Sequence, residues 1–324
     1  MSVKQDVKKL LESRQDCYIS GEDIANEIGC SRGAVWKAVK QLQAEGYPIS
    51  AVTNKGYCLD SCSDILSKDG IDSLISGSKS KICIEVFDTI DSTNNYLKAK
   101  ALENEKEGLT AIAARQTGGK GRLGRSFFSP PDSGLYISFL LRPDSPASEA
   151  LKITTIAAVA VALAIEDAFG VETQIKWVND VYINGKKICG ILTEAAIDME
   201  SGVLEYAVCG IGINVYTPEG GFPDEIKEIA GAVLSEKTKN GRNKLAACLI
   251  KRIFELYENN DPHAYYDDYK KRLIWVGEQI YLIKGDKKTP AVMLGVDEEC
   301  RLHVKFEDGS ESFISSGEIT IRKA

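Results

Sequence analysis

The chain has 324 residues, of which 44% are hydrophobic and 27% are charged. This near-average composition excludes a disordered chain, a collagen-like repeat and a long coiled coil, and the length predicts two or three packed domains. The net charge of −7 argues against a protein that coats nucleic acid. Residues 1–60, however, carry eight basic and eight acidic residues, which leaves room for a local basic face.

Several features of the sequence concern compartment and metal binding. The longest uncharged apolar run, residues 153–165, is too short to cross the ~30 Å hydrocarbon layer of a membrane. Residues 1–20 lack the pattern of a secretory signal, and the nine cysteines include no C-x-x-C pair. His263 and His303 have no partners at zinc-ligand spacing. We therefore expect a cytoplasmic protein that contacts no membrane and has no metal ligands of its own.

Residues 1–64 have the pattern of a winged helix-turn-helix domain. Apolar residues recur at helical spacing, and Gly29 would end the second helix. Two short strands around the turn Asn54-Lys55-Gly56 predict a hairpin, which would form the wing. The third helix would then enter the major groove of DNA. The predicted helices cover residues 3–13, 21–28 and 32–44.

Positive charge is concentrated on the third of these helices, because no acidic residue lies between Ser31 and Ala44. Lysine and arginine side chains at such a position neutralise DNA phosphates. A three-helix module that binds another protein has a similar pattern and stays open as an alternative. The residues that we expect to contact DNA are Ser31, Arg32, Trp36, Lys37, Lys40 and Lys55.

The rest of the chain divides into three segments. Residues 65–80 are mostly small and polar, as in a linker. Residues 81–272 mix strand-like and long helical runs without a repeating β-α-β order, which predicts a mainly antiparallel sheet. Short strands between turns in residues 273–324 predict a small β-barrel. The predicted fold class is therefore α+β with several domains.

A glycine-rich basic segment, Gly119-Lys120-Gly121-Arg122-Leu123-Gly124, matches the dinucleotide-binding pattern G-x-G-x-x-G. That pattern needs a helix directly after the third glycine, and residues 125–131 cannot begin one cleanly, so a Rossmann site is rejected. The segment is not a Walker A loop either, because no glycine stands five residues before Lys120. Glycines interleaved with Lys120, Arg122 and Arg125 suit a loop that orders over an anionic ligand. The alternative is a solvated basic surface loop.

Three other segments are rich in polar groups that are costly to bury without partners. Asp91-Ser92-Thr93-Asn94 follows a strand and precedes a helix, so N-capping explains one of its side chains but not all four. Next comes Lys176-Trp177-Val178-Asn179-Asp180, and the tight turn Asn184-Gly185 places Lys187 opposite it. Gly210-Ile211-Gly212-Ile213-Asn214 ends a strand with positions that another group can approach closely.

In this order and spacing, these segments resemble the biotin–protein ligase family. With the winged helix in front, the chain is similar to the bifunctional BirA-type members, which are also repressors. Gly317-Glu318-Ile319 is similar to part of that family's SH3-like C-terminal barrel. The resemblance covers essentially the whole chain. The motifs that carry it are residues 91–94, 115–125, 176–180, 187–194 and 210–214.

The resemblance implies a role for each polar residue. Biotin would be bound by Ser92, Thr93, Asn94, Gln116, Lys120, Gly121, Arg122 and Lys187. ATP and the adenylate would be bound by Gly119, Arg125, Lys176, Asn179 and Asn214. Catalysis would involve Lys187, Arg122 and Asp180. The chain departs from the family pattern at Leu123, Phe127 and Val178, which lie outside these implied contacts.

The implied reaction joins two anions, because the carboxylate of biotin attacks the α-phosphorus of ATP. Cations of the chain together with Mg²⁺ would offset their repulsion. Biotin would then pass from biotinyl-5′-AMP to a lysine of a biotin carboxyl carrier protein domain. Asp180 would orient or deprotonate that lysine, or alternatively would pair with Lys176.

The resemblance also implies regulation and leaves two alternatives. The chain would bind operator DNA of biotin genes as a ligand-promoted homodimer, with biotinyl-AMP as corepressor. One alternative is a ligand-responsive transcription factor without ligase activity, against which the intact Lys187 and basic loop argue. The other is a lipoate–protein ligase, which shares the catalytic fold but against which the front winged helix argues.

Overall fold

The computed structural model describes residues 2–44, 47–60, 64–75, 82–146, 149–259, 261, 264–315 and 319–323. The chain forms two compact units. The first unit comprises Met1–Ile65 with Lys237–Gly241, and the second comprises Leu66–Glu236 with Arg242–Ala324. The finer division into 1–64, 65–80, 81–272 and 273–324 stays a prediction, and residues 76–80 of the predicted linker lie outside the described residues.

The first unit contains the predicted helices and the predicted hairpin. Its elements are α1 (Val3–Ser13), α2 (Gly21–Ile28), α3 (Arg32–Ala44), β1 (Ile49–Val52) and β2 (Gly56–Leu59). α2 begins after Ser20, whose Oγ accepts a hydrogen bond from the backbone N–H of Asp23, and ends at Gly29, which has a φ of +72°. β1 and β2 pair antiparallel, and apolar side chains of all five elements form one core. The winged helix-turn-helix pattern is thus present.

The second unit combines helices with two sheets. Its elements up to the last long helix are α4 (Lys68–Asp72), β3 (Cys83–Phe87), α5 (Thr93–Leu102), β4 (Leu109–Ala113), β5 (Gly134–Leu141), α6 (Ala150–Phe169), β6 (Gln174–Lys176), β7 (Asp180–Ile183), β8 (Lys186–Ile197), β9 (Leu204–Asn214) and α7 (Gly241–Tyr257). They are followed by α8 (Tyr266–Arg272), β10 (Gln279–Lys284), β11 (Lys287–Val296), β12 (Leu302–Lys305), β13 (Glu311–Ile314) and β14 (Ile319–Lys323).

A seven-stranded mixed sheet with the strand order β3-β4-β5-β9-β8-β7-β6 forms the centre of the second unit. β3 and β4 pair in parallel, and the other neighbours pair antiparallel. The parallel pair exists because α5 crosses over between β3 and β4, which a two-residue hairpin cannot do. The pattern of the sequence predicted a mainly antiparallel sheet, and the parallel pairing of β3 with β4 is not part of that prediction.

Helices cover this sheet on both faces, as the alternation along β5 demonstrates. Phe139 packs in the same core as α6, whereas its neighbour Leu140 packs with Leu97 of α5. Successive side chains of a strand point to opposite faces, so α6 and α5 lie on opposite sides of β5. The even-numbered residues of β5 therefore face the N-terminal half of α5, which positions the site described below.

A second sheet of five antiparallel strands ends the chain, with the order β13-β12-β11-β10-β14. Its apolar side chains share a core with the larger sheet. The indole Nε1 of Trp177 donates a hydrogen bond of 3.0 Å to the carbonyl oxygen of Cys300 and so ties the two sheets together. Gly317 and Glu318, which the sequence analysis singled out, lie outside the described residues.

Two kinds of feature are absent from the described residues. None of the helices has the length and apolar character that a membrane span requires. Histidine, cysteine and carboxylate side chains do not come together there in a group that could hold a metal ion. The cysteines of the described ranges are all free thiols.

Candidate active site and DNA-binding surface

A polar pocket opens where α5 begins, beside the glycine-rich loop and the strands β7, β8 and β9. Most residues singled out from the sequence meet there. The predicted residues that line it are Ser92, Thr93, Asn94, Gln116, Lys120, Gly121, Arg122, Arg125, Asn179, Asp180 and Lys187. Gly119, Lys176 and Asn214 do not line it.

The start of α5 places three of these side chains at one end of the pocket. Ser92 is the N-cap, and its Oγ accepts from the backbone N–H of Asn95 at 3.4 Å. The backbone N–H of Thr93 donates to Oε1 of Gln116 at 2.9 Å, and Nε2 of Gln116 donates to Oγ of Ser129 at 3.2 Å. Capping thus accounts for Ser92, while Thr93 connects α5 to Gln116 on the next loop.

Asn94 belongs to a buried hydrogen-bond network that the sequence analysis did not find. Its Oδ1 accepts from Oγ of Ser138 at 2.7 Å, and its Nδ2 donates to Oε2 of Glu194 at 2.9 Å. The Glu194 carboxylate in turn pairs with Nζ of Lys98 at 2.6 Å. Ser138 is fully buried and also lies 2.7 Å from Oγ1 of Thr93. The network joins α5, β5 and β8 behind one end of the pocket.

The basic loop is held by hydrogen bonds at both of its interior cations. The backbone N–H of Gly121 donates to the carbonyl of Arg125 at 2.7 Å and closes the loop. Nζ of Lys120 donates to Oδ1 of Asn95 at 2.7 Å, and Nη1 of Arg122 donates to Oδ1 of Asn179 at 3.0 Å. Burial lowers the pKa of Arg122 against the opposing attraction of a nearby carboxylate. The loop thus brings cations to the pocket mouth.

A lysine–carboxylate pair lies on the β7–β8 hairpin. Nζ of Lys187 lies 2.6 Å from Oδ1 of Asp180, whereas Nζ of Lys176 lies 3.9 Å from Oδ2 of the same carboxylate. The prediction that the Asn184-Gly185 turn directs the Lys187 ammonium back toward residues 176–180 is therefore confirmed, although the backbone partner of Lys187 in the hairpin is Tyr182. Lys176 thus makes a longer ion pair with Asp180, and it also lies over the ring of Trp275, 5.4 Å from the ring centroid. Burial of Lys176 lowers its pKa.

The floor of the pocket is built from glycines of two neighbouring strands. We call Gly190 of β8 together with Gly210 and Gly212 of β9 the glycine floor. A Cβ on Gly210 would lie 1.9 Å from Oδ1 of Asn94, and one on Gly212 would lie 2.5 Å from Cε1 of Phe127. The missing side chains are thus what lets Asn94 and Phe127 approach the sheet.

The remaining predicted site residues have structural partners. Gly119 is buried, and a Cβ there would lie 2.5 Å from the carbonyl oxygen of Phe127. Nδ2 of Asn214 donates to the carbonyl of Gly231 at 3.0 Å. Their implied contacts with a nucleotide, and that of Lys176, stay predictions.

Ser138 and Glu194 are polar residues of the buried Asn94 network for which the sequence predicted no role. Ser138 was detectable, because it is the only small polar side chain within the apolar run 135–141. Glu194 stood within a quoted motif, but only its contacts with Asn94 and Lys98 reveal its position. Those partners lie about a hundred residues away along the chain.

The first unit carries the predicted DNA-binding residues on its surface. Ser31 caps α3, since its Oγ accepts from the backbone N–H of Ala34 at 3.2 Å. Trp36 is 53% exposed despite its size, and it lies one helical turn from Lys40. Nζ of Lys55 on the hairpin turn lies 5.8 Å from the ring centroid of Tyr18. The exposed side chains among the predicted set are Ser31, Arg32, Trp36, Lys37, Lys40 and Lys55.

Two family models match the chain. Residues 86–214 match the biotin/lipoate A/B protein ligase family. Residues 3–58 match a helix-turn-helix domain. The first match contains the whole polar pocket apart from Thr320 of β14, and the second contains the predicted DNA-binding residues.

Individual relatives cover nearly the whole chain. The bifunctional ligase/repressor BirA of Bacillus subtilis (strain 168) is 34% identical over 97% of this chain and 98% of its own. That of Escherichia coli (strain K12) is 30% identical over 95% of this chain and 94% of its own. A solved structure of the biotin protein ligase from Aquifex aeolicus, in complex with biotin and ATP, matches 74% of this chain and 99% of its own. The TM-score of that match is 0.63 and the identity is 28%.

Proposed function

The chain belongs to the family of bifunctional BirA ligase/repressors, and from that premise we propose how its residues carry out both activities. It is an ATP-dependent biotin protein ligase with a repressor function that resides in its helix-turn-helix domain. The observation that best supports a shared site for both substrates is the meeting of a neutral polar end and a cationic end in one pocket.

The neutral end of the pocket binds the ring system of biotin in this proposal. Hydroxyl and amide groups are supplied there by Ser92, Thr93, Asn94 and Gln116. A neutral polar ring needs such hydrogen-bond partners, because its transfer from water would otherwise cost free energy. The glycine floor supports this role because the absence of a side chain at Gly210 lets Asn94, one of these four residues, lie directly against the strand.

The cationic end binds the carboxylate of biotin and the phosphates of ATP. Arg122, Arg125 and Lys187 line this end, and Lys120 of the same loop lies nearer the start of α5; together these cations reduce the repulsion between the attacking carboxylate and the α-phosphate. The biotin carboxylate oxygen then bonds to the α-phosphorus, pyrophosphate leaves, and biotinyl-5′-AMP remains. The glycine-rich loop closes over this mixed anhydride and protects it from water.

Mg²⁺ would reach this site as a companion of the nucleotide. Asp180 is the only carboxylate among the described residues that line the pocket, and it is already paired with Lys187. A single occupied carboxylate does not fit a metal cage made by the protein alone, whereas Mg²⁺ is commonly held by substrate phosphates. None of the roles that we propose for the residues of the chain therefore depends on a metal ion held by the protein.

The second half-reaction transfers biotin to a lysine of a biotin carboxyl carrier protein domain. An exposed lysine with a pKa of about 10.4 is almost entirely protonated at neutral pH and must lose a proton to attack. Asp180 is our candidate to orient this amine, because it lines the pocket beside Lys187, which in this proposal binds the biotin carboxylate. The attack releases AMP and forms an amide.

The repressor activity follows from the first unit. We propose that α3 enters the major groove of the operator of biotin genes while Lys55 on the wing contacts phosphate. Biotinyl-AMP acts as corepressor by promoting a homodimer. We also propose that the five-stranded C-terminal sheet is an SH3-like barrel. The proposed location of the protein is the cytoplasm.

Pyrophosphate exchange tests the ligase proposal. The purified chain is incubated with labelled pyrophosphate, Mg·ATP and either biotin or lipoate, and exchange is expected with biotin alone. A biotin carboxyl carrier protein domain that is added to the reaction should then gain the mass of one biotinyl group. Exchange with neither acid would leave a regulator without ligase activity, and exchange with lipoate would instead indicate a lipoate ligase.

A further inference from the structure

The amide nitrogen and the amide oxygen of Asn94 differ in how fully protein partners use their hydrogen-bonding capacity. Both N–H groups of its amide are used, because Nδ2 donates to the carbonyl of Leu192 at 3.3 Å and to Oε2 of Glu194 at 2.9 Å. Its Oδ1 has two lone pairs, and Ser138 is the one donor that it has among the described residues. Asn94 also lines the polar pocket. The capacity that Asn94 has left for a ligand is therefore the second lone pair of Oδ1, which can only accept a hydrogen bond.

An ion pair fixes this orientation of the Asn94 amide. A flipped amide would direct Oδ1 at the carboxylate of Glu194 and two N–H groups at Ser138 and the pocket. Glu194 is ionised, because hydrogen bonds from Lys98 and Asn94 outweigh its burial and lower its pKa. Lys98 supports that charge at 2.6 Å. An ionised carboxylate accepts hydrogen bonds only, so it rejects the flipped amide.

We infer that Glu194 and Lys98 are positioning residues that keep Asn94 an obligate hydrogen-bond acceptor, so that the site selects a ring that carries an N–H group. This inference rests on the proposed function, because it assigns a partner to the biotin ring. The cyclic urea of biotin has two N–H groups, whereas the disulfide ring of lipoate has none. The Lys98–Glu194 pair thus contributes to the choice between the two acids without touching either.

Reversal of the hydrogen-bond polarity gives the sharpest test. Asn94→Asp places two acceptors next to the Glu194 carboxylate, and Glu194→Gln supplies an N–H donor at the same position. We expect Asn94→Asp alone to raise the KM for biotin in pyrophosphate exchange by about 100-fold. The double variant Asn94→Asp/Glu194→Gln should recover at least about tenfold of that loss, as expected for two groups in contact.

The KM for ATP distinguishes positioning from a general structural effect. It should stay within about twofold in every variant, because the network lies behind the neutral end of the pocket. A double variant no better than Asn94→Asp, or equal losses in both KM values, would overturn the inference. Wild-type exchange with biotin is measured first, so that a failure of the proposed function is recognised separately.

A pair of lysine variants on one helix provides a test that does not change Asn94. Lys98→Met removes the partner of Glu194, whereas Lys100→Met removes a lysine of the same helix that pairs with Glu103 at 2.7 Å. We expect Lys98→Met to raise the KM for biotin about fivefold, and Lys100→Met to leave it within about twofold. Equal effects of the two variants would contradict a role for the ion pair.

A change in the ligand completes the test. Biotin methylated on one or the other ring nitrogen is compared with biotin as a substrate for the wild-type chain. One of the two isomers should lose at least about 100-fold in kcat/KM, since its methyl group replaces the N–H that Asn94 accepts. Normal use of both isomers would overturn the inference.

Discussion

Gly210 is the position at which the pocket tolerates no side chain. A Cβ there would lie 1.9 Å from Oδ1 and 2.7 Å from Cγ of Asn94, far inside any real contact distance. Gly210→Ala should therefore displace Asn94 and lower biotin-dependent exchange by about 100-fold. Gly33→Ala on α3, where the nearest atom to the new methyl group is Oγ of Ser31 at 4.0 Å, serves as the control. Normal exchange by folded Gly210→Ala would show that Asn94 has no role in binding.

Lys187 and its neighbour Lys186 form a matched pair for testing the role of positive charge at the cationic end of the pocket. Nζ of Lys187 lies in the pocket beside Asp180, whereas Nζ of Lys186 donates to the carbonyl of Glu228 outside it. Lys187→Ala should lower adenylate formation by about 100-fold to 1,000-fold with an unchanged Tm, because the cation acts on charge in the transition state. Lys186→Ala should keep normal activity. Near-normal exchange by the Lys187 variant would remove this residue from the mechanism.

At single residues, the sequence predicted contacts that a local turn creates and missed those made across the sheet. The Lys187 side chain was placed correctly beside residues 176–180 because the Asn184-Gly185 turn folds β8 back along β7. Ser138 and Glu194 depend instead on which strands lie next to each other and on which face of them α5 packs. No short-range pattern contains that information.

The contribution of the positive charges of α3 to DNA binding can be measured independently of ligase chemistry. Arg32, Lys37 and Lys40 are exposed on it, and each phosphate contact that is lost should reduce the salt dependence of DNA binding by about 0.9 in log–log slope. The triple alanine variant should thus bind operator DNA more weakly and with a shallower slope. The control is Lys251→Ala, a surface lysine of α7. A slope unchanged from wild type would show that α3 does not contact phosphates.

At the scale of elements, periodicity predicted which segments form helices and strands but not how the strands pair. The apolar run of β5, all eight residues of which are buried, was recognisable as a strand. The parallel pairing of β3 with β4 was not, because parallel and antiparallel strands can carry the same side-chain pattern. The short helix α5 between them was the only indication of a crossover.

The whole molecule should separate into its two activities. Removal of residues 1–64 deletes most of the first unit and leaves the entire polar pocket, which begins at Ser92. The truncated chain should retain biotin-dependent exchange within about tenfold of wild type and lose sequence-specific DNA binding. Gel shift with operator DNA and exchange on the same preparation measure both. Specific DNA binding by the truncated chain would refute the assignment of the first unit.

In the intact molecule the two activities should be linked thermodynamically. If biotinyl-AMP promotes a dimer that binds a two-fold operator, then it raises operator affinity, and operator DNA must raise adenylate affinity by the same factor. Sedimentation with and without biotin and ATP, together with DNA binding at one salt concentration, measures both sides. Operator affinity that does not respond to the adenylate would show that the two activities are independent.

The glycine floor has a consequence for the range of acids that this ligase can be made to accept. Substitution at Gly190, Gly210 or Gly212 adds atoms, so mutation on that side can only shrink the space for a ring. Phe127, whose ring rests on Gly212, also lines the pocket, and shortening this large side chain would enlarge the space. Variants selected to attach bulkier biotin analogues should therefore change at Phe127, and the floor should stay as it is.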